Sequence, residues 1–465
     1  MNTKRLTQLA LVLLITGAID NIRNLPTTAL FGSSLIFFIL FSALIFLIPT
    51  ALVSAQLASS SQEKGGIYYW TCLALGEKAG LLALWLQWVN TLVWFPTILS
   101  FIAGTTTYLF NPGLANNKIY LVSFVIIIFW SMTLVSLKGV HTSAKFANIC
   151  VLIGTVIPMV LMIGLAVFWV ISGKPLEISF TPHTLFPTLT SSENWISLTA
   201  IIASFLGIEL ATVHINEVKD PEKTFPRALF LSVVIIILTM ALGSLAIALI
   251  LPVDKINLVD GTMQAFAKFF SVYHLGAMVP IITLMIVIGS LGNMIIWIIS
   301  PAKGLLQAAE TGYLPSYFTF KNKHGVASRI LIAQAIVVTV VCLASQLMPS
   351  VNGSYWLLTD LSTQLYVLMY IPMFIAALVL AKKLLPSADA FQIPGGKLGT
   401  WLVCLLGLTG CMITLAVGFI PPPNIDVGGA RHYITVFTSG MLVMIAPVLF
   451  FYGYKKVTTK TIAPK

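Results

Sequence analysis

The sequence predicts an all-α polytopic membrane protein of about twelve spanning helices. Three observations carry that prediction. Of 465 residues, 58% are hydrophobic and only 9% are charged, with a mean hydropathy of +0.97. A soluble globular chain carries about 25% charged residues. The apolar residues gather into stretches of about 20 or more, the length a helix needs to cross a bilayer core. The basic residues fall mostly between those stretches, as the positive-inside rule requires.

Twelve such stretches can be read in order, at 7–30, 33–57, 80–110, 118–137, 146–172, 194–216, 226–251, 276–309, 328–348, 355–381, 398–420 and 431–454. The opening MNTKRLTQ resembles the start of a signal peptide. The apolar run behind it is too long for one, and no small-residue cleavage site ends it, so it reads as a retained first span. With that end inside, 20 of the 26 Lys and Arg lie in inner segments and five in outer ones, Arg23 lying within the membrane. Both termini are therefore placed inside. Between the second and third spans, SSSQEKGGIYYW reads as a turn ending in interfacial aromatics. Asn216 to Phe230 is a hydrated inner loop, in which Pro221 and Pro226 end one helix and start the next. Outside, Thr262 to Ser271 reads as a short amphipathic helix, and QIPGGK at 392–397 as another inner turn. The tail after the last span is about ten residues, too short for a domain.

The first span is the exceptional one. At mid-depth it carries Gly17, Asp20, Asn21, Arg23, Asn24 and Pro26. A charge at the centre of a spanning helix costs about 2.5–3.5 kcal/mol on insertion scales and marks function by default. Gly and Pro around it predict a helix broken at the midplane, which is tolerated where loose backbone lines a cavity. A second break is expected at Ser204-Phe205-Leu206-Gly207-Ile208-Glu209. Two interrupted spans in corresponding places point to the substrate site of a secondary transporter.

Other function classes lose ground on the same residues. The net charge of +11 sits in short loops and forms no basic stripe with interleaved aromatics, so no nucleic-acid partner is expected. Cys72, Cys150, Cys342, Cys404 and Cys411 form no CxxC pair, and the six His form no ligand cluster, so neither metal nor cofactor is expected. Neither HExxH nor GxSxG occurs at membrane depth, which argues against an enzyme. Short loops leave no room for a signalling domain, which argues against a sensor. No GxxxG face stands out to set an oligomeric state.

The stretches GIELATVHINEVKDPEKTFPRAL (207–229), INLVDGTMQAF (256–266), WIISPAKGLL (297–306), GYLP (312–315) and FQIPGGK (391–397) carry a resemblance. In order and spacing the chain resembles amino-acid permeases of the amino acid–polyamine–organocation superfamily, most of all the bacterial glutamate/GABA antiporters. That resemblance implies a LeuT-type fold of one transporter domain over 1–465. It would hold two inverted five-helix repeats (7–172 and 194–381) and two appended helices (398–454). It implies an amino acid or amine as substrate, with protons as a further partner, in a bacterial inner membrane. Access would alternate around a site between the first, third, sixth, eighth and tenth spans.

On that resemblance, the substrate-binding candidates are Gly17, Ala18, Ile19, Asp20, Asn21 and Arg23 in the first break and Ser204, Phe205, Gly207 and Glu209 in the second. Asn293 and Trp297 join them from the eighth span, and Tyr366 and Tyr370 from the tenth. Ile19, Asp20 and Asn21 stand where the superfamily carries a Gly-Ser-Gly segment, and Asn293 where the glutamate/GABA antiporters carry an acid. Asp20 and Arg23, three apart, could form a bracing ion pair or meet the substrate directly. Glu209 and Asp20 are the candidates for proton coupling. Tyr366 and Tyr370, four apart, share a helical face, which Asp360 and Gln364 extend toward an outer vestibule. Two acids against one Arg would favour a cationic amino acid or polyamine as the alternative substrate. Trp85, Trp88 and Trp94 read as packing or lipid-facing aromatics.

Overall fold

The computed structural model describes residues 7–60, 66–139, 144–187, 195–210, 212, 218, 220–383 and 391–461. Residues 61–65 of the first inner turn, Asn216, Glu217, Lys219 and both chain ends lie outside the described residues, as do the side chains of Ala18 and Asn293.

Among the described residues, ten helices are long and apolar enough to cross a membrane. The two expected stretches missing from that set are the two expected to break. The first divides into α1 (Gln8–Ile19) and α2 (Leu25–Ala29), joined by a 3₁₀ turn at Ile22–Asn24. Asn21 is the extended residue between them, at φ −132° and ψ 118°, and its side chain accepts the Arg23 backbone N–H at 3.2 Å. Pro26 sits in the first turn of α2, where its missing N–H costs nothing. Further along the chain, α8 (Ser197–Ala203) gives way to a turn over Ser204–Gly207 and then to a 3₁₀ turn at 208–210. Gly207 has φ +104°, which a side chain would resist.

The unbroken spans follow the expected limits within a few residues: α3 (Gly32–Ser60), α5 (Glu77–Thr106), α6 (Lys118–Leu137), α7 (Ile149–Ile171), α9 (Pro221–Ala248), α11 (Met278–Glu310), α12 (Ser328–Ala344), α13 (Val351–Lys383), α14 (Gly396–Val417) and α15 (Ala430–Tyr454). The expected amphipathic helix is α10 (Gly261–Val272). Two elements differ from the reading of the sequence. The inner loop expected at 216–230 is already helix α9 from Pro221, with Phe225 fully buried. The aromatic end of the first inner turn is a helix, α4 (Ile67–Leu75), bounded by Gly66 (φ +111°) and Gly76 (φ +91°). It is too short to span, and its apolar residues serve packing: Trp70 is fully buried and α4 lies on α5 and α13.

The packing places the breaks opposite each other. α1 and α2 lie on α9, α8 lies on α13 and α3 and also touches α2, and both α11 and α13 lie along α5. Small residues allow the closest approaches. A Cβ on Gly289 of α11 would stand 2.4 Å from the Gly154 Cα of α7, so only paired glycines allow this crossing. Gly17 belongs to the same packing. It is inside α1 rather than in the break, and a Cβ there would meet Val151 at 2.5 Å. The unwinding therefore starts at Asp20, not at Gly17.

Candidate functional site

Between the two breaks lies a small cavity of about 60 Å³. One water needs about 10–15 Å³ on this measure, so it holds only a few. The first break contributes Ile19, Asn21, Arg23 and Asn24, and the second Ala203, Leu206 and Gly207. α5 supplies Asn90, Thr91, Trp94 and Thr97; α11 supplies Trp297; α13 supplies Thr359, Ser362, Thr363 and Tyr366.

Arg23 is the one charged side chain among the described residues of this lining. Its Nη1 donates to Thr97 Oγ1 at 2.7 Å, and its guanidinium carbon lies 5.2 Å from the centre of the Trp94 ring. Trp297 stands beside Trp94, with ring centres 5.5 Å apart. Arg23 is 6% exposed, and its Nε finds no partner among the described residues. Desolvated charged donors are normally paired. An aromatic face, a hydroxyl and a spare N–H around a guanidinium are the groups that suit an anion, which guanidinium meets bidentately.

Asp20 is not part of this lining, and the expected Asp20–Arg23 pair does not form. An extended residue intervenes at Asn21, so the two side chains do not share a helical face. Asp20 turns instead to α9, where Thr239 Oγ1 contacts its Oδ2 at 2.6 Å, and it is absent from the cavity lining. Glu209 also stands behind the wall. Tyr366 OH donates to its Oε1 at 2.7 Å and Tyr370 OH donates to its Oε2, while the Gly207 N–H donates to Tyr370 OH at 3.0 Å. The second break is thereby tied to α13. Tyr366 faces the cavity and Tyr370 lies in the layer behind it.

The remaining expected residues divide in the same way. Ser204 Oγ bonds back to the Ala200 carbonyl at 3.1 Å, and Phe205 is fully buried in the core. Asp360 and Gln364 do not open on a vestibule. Both are buried, with Gln364 Nε2 donating to Asp360 Oδ1 at 2.8 Å and Tyr433 OH donating to Asp360 Oδ2, which ties α13 to α15. Trp85 and Trp88 are packing residues as expected, bonded to the Met444 carbonyl and to Gln334. Trp94 is not: it lines the cavity. The sequence reading passed over Asn90, Thr97, Thr359, Ser362 and Thr363. Their signal is spacing: 90, 94 and 97 fall at i, i+4, i+7, and 359, 362 and 363 at i, i+3, i+4, each a polar stripe on an otherwise apolar helix.

α10 closes one side of the first break. Thr262 Oγ1 donates to the Ile22 carbonyl at 3.1 Å, and a Cβ on Gly261 would lie 2.9 Å from Pro26 Cβ. Ahead of it, Asp260 accepts from Tyr108 OH at 2.9 Å, with its Oδ1 unpartnered. Burial pushes the Asp260 carboxyl up to about 6 from an ordinary value of 3.8. A raised value in the packed state means that this seat is strongest below about pH 4 and loses strength as pH rises through about 6. Asp260→Asn is expected to remove that part of the pH dependence, read as the difference between wild-type and variant melting curves from pH 4 to 8. Identical pH profiles would show that Asp260 does not sense pH.

A family described as amino acid permease matches residues 6–446. The chain belongs to that family. The permease is 38% identical over 448 residues to an uncharacterised transporter of Legionella pneumophila, covering 96% of each chain. It is 29% identical over 439 residues to a glutamate/gamma-aminobutyrate antiporter of Lactococcus lactis, covering 93% of this chain and 87% of that one. A probable agmatine/putrescine antiporter of Lactococcus lactis is 24% identical over 374 residues, with 80% and 78% covered.

Proposed function

We propose that this permease is a secondary amino-acid exchanger of a bacterial cytoplasmic membrane, with both termini inside, whose substrate presents a carboxylate to Arg23. The five-plus-five inverted arrangement, with two helices appended, is the frame for alternating access around the cavity. One observation favours an acid-bearing substrate such as glutamate or GABA over a polyamine. The cavity's single charged side chain is a guanidinium with an unused N–H, and the two nearby acids face away from it. A cation entering here would meet a like charge with no counter-ion, and that repulsion is worth several kcal/mol in a desolvated site. The relatives that act on glutamate and gamma-aminobutyrate point the same way.

The test is competition in proteoliposomes loaded with unlabelled substrate. Glutamate, GABA, arginine, putrescine and a neutral amino acid each compete against radiolabelled glutamate at two pH values. Competition by glutamate and GABA, with arginine and putrescine inert, is the expected pattern. Uptake of labelled arginine or putrescine without glutamate uptake would overturn the assignment.

A further inference from the structure

Asp20 sits in a place whose protons can be counted. Thr239 Oγ1, on α9, makes two short contacts, 2.6 Å to Asp20 Oδ2 and 2.7 Å to the Ile235 carbonyl oxygen, besides a longer one of 3.2 Å to the Ile236 carbonyl oxygen. The two short distances are those of O–H···O hydrogen bonds, so each needs a proton between its two oxygens. The threonine hydroxyl supplies one. If it goes to Asp20, the hydroxyl oxygen and the Ile235 carbonyl face each other at 2.7 Å with nothing between them but repulsion. If it goes to Ile235, the contact with Asp20 needs a proton from the acid. The two short contacts each hold a proton only when Asp20 is a neutral carboxylic acid, donating through Oδ2 to Thr239, which in turn donates to Ile235 and, at longer range, Ile236.

The surroundings agree with that count. Asp20 is 5% exposed and its Oδ1 has no partner among the described residues. Thr16, four residues earlier on the same face of α1, is 7% exposed and its Oγ1 is likewise unpartnered. Among the described residues no cation compensates the site. α9 has no charged or titratable residue from Leu229 to its end, and across 149–171 the only titratable group on α7 is Cys150. On the broken span itself, Arg23 is committed to the cavity. A bare carboxylate here would carry a desolvation penalty of several kcal/mol with no cation among the described residues to offset it. Of the three other buried acids among the described residues, Asp260 also has an unpartnered Oδ1 but accepts from Tyr108 OH, while Glu209 and Asp360 are fully partnered. Each oxygen of Glu209 receives a tyrosine O–H, and Asp360 receives Tyr433 and Gln364, so both are satisfied as anions.

We infer that Asp20, with Thr239 as its acceptor, is a proton-binding site on the α1–α9 interface, loaded in this conformation and separate from the substrate cavity. The site lies where α1 meets the extended residue Asn21. A tilt of α1 about that residue would draw Asp20 away from Thr239 and let its proton leave. That consequence rests on the transporter reading; the loaded proton does not.

Infrared spectroscopy of the reconstituted protein at pH 7 tests it. A carbonyl-stretch band of a protonated carboxylic acid is expected in the wild type, shifted by ¹³C-labelling of aspartate and lost in Asp20→Asn. Thr239→Val, which removes the acceptor, is expected to move that band to higher wavenumber. If Asp20→Asn fails to fold, Thr239→Val decides alone. A wild type without the band, or a Thr239→Val spectrum that matches it, overturns the site. Because no transport is measured, a protein that moves no glutamate would count against the exchanger reading and leave this result standing.

Discussion

Arg23→Ala is expected to lower the affinity for glutamate by at least about thirtyfold, measured as binding or counterflow in proteoliposomes. The estimate comes from the about 2–5 kcal/mol lost when one member of a buried, hydrogen-bonded charge pair is removed. Arg23 is suited to that role because it is held before any ligand arrives. Thr97 fixes one nitrogen, the Trp94 ring lies against the guanidinium, and Asn21 caps the turn that carries it. Little side-chain entropy is left to lose on binding. Arg23→Lys keeps the charge but not the planar fork or the stacking, so an intermediate loss is expected. Thr97→Val, which frees the same nitrogen without removing charge, should cost less than either. Wild-type glutamate affinity in Arg23→Ala would remove the residue from substrate recognition and with it the preference for an acid-bearing substrate.

Where the helices run was legible because hydropathy and length determine it: a segment without enough apolar residues cannot pay for its backbone in lipid. The breaks were legible for the converse reason. Asp20, Asn21 and Arg23 crowd polar and charged groups into mid-membrane, where an intact lipid-facing helix would not hold them. Side-chain direction was not legible. Asp20 and Arg23 are three apart and would lie on one face of a helix, but the single extended residue at Asn21 sends one to α9 and the other into the cavity. Residue spacing alone does not disclose a dihedral change of that size. The same holds for Asp360: its sequence position on the α13 face suggested a vestibule, while its environment is decided by Tyr433, 73 residues further along the chain. Trp94 was grouped with Trp85 and Trp88 by composition, yet they differ in rotation about one helix axis. Gly17 read as a breaker and proved to be a contact, because a glycine in an apolar helix serves either end and only its neighbour Val151 distinguishes them.

Glu209→Ala is the second large effect expected, and it acts through the wall of the cavity rather than its lining. Glu209 collects the hydroxyl protons of Tyr366 and Tyr370, and Tyr370 in turn accepts the Gly207 N–H from the unwound turn. Removing the carboxylate takes the acceptor from two buried phenols, at about 1–3 kcal/mol for each one left unpaired. It also cuts the tether between the second break and α13. Exchange is expected to fall by at least about a hundredfold, with a lower Tm in detergent, taking about 1.4 kcal/mol per tenfold. Glu209→Gln keeps the shape and one acceptor oxygen but turns an amide N–H₂ toward the other phenol, so its loss should be smaller. Tyr370→Phe should fall between them, because it frees both Glu209 Oε2 and the Gly207 N–H, whereas Tyr366→Phe frees only one oxygen. This order distinguishes a tether from a simple charge requirement: if charge alone mattered, Glu209→Gln would be as inactive as Glu209→Ala and both tyrosine variants would transport normally. Wild-type exchange and melting in Glu209→Ala would mean that the turn at Ser204–Gly207 holds its shape without α13.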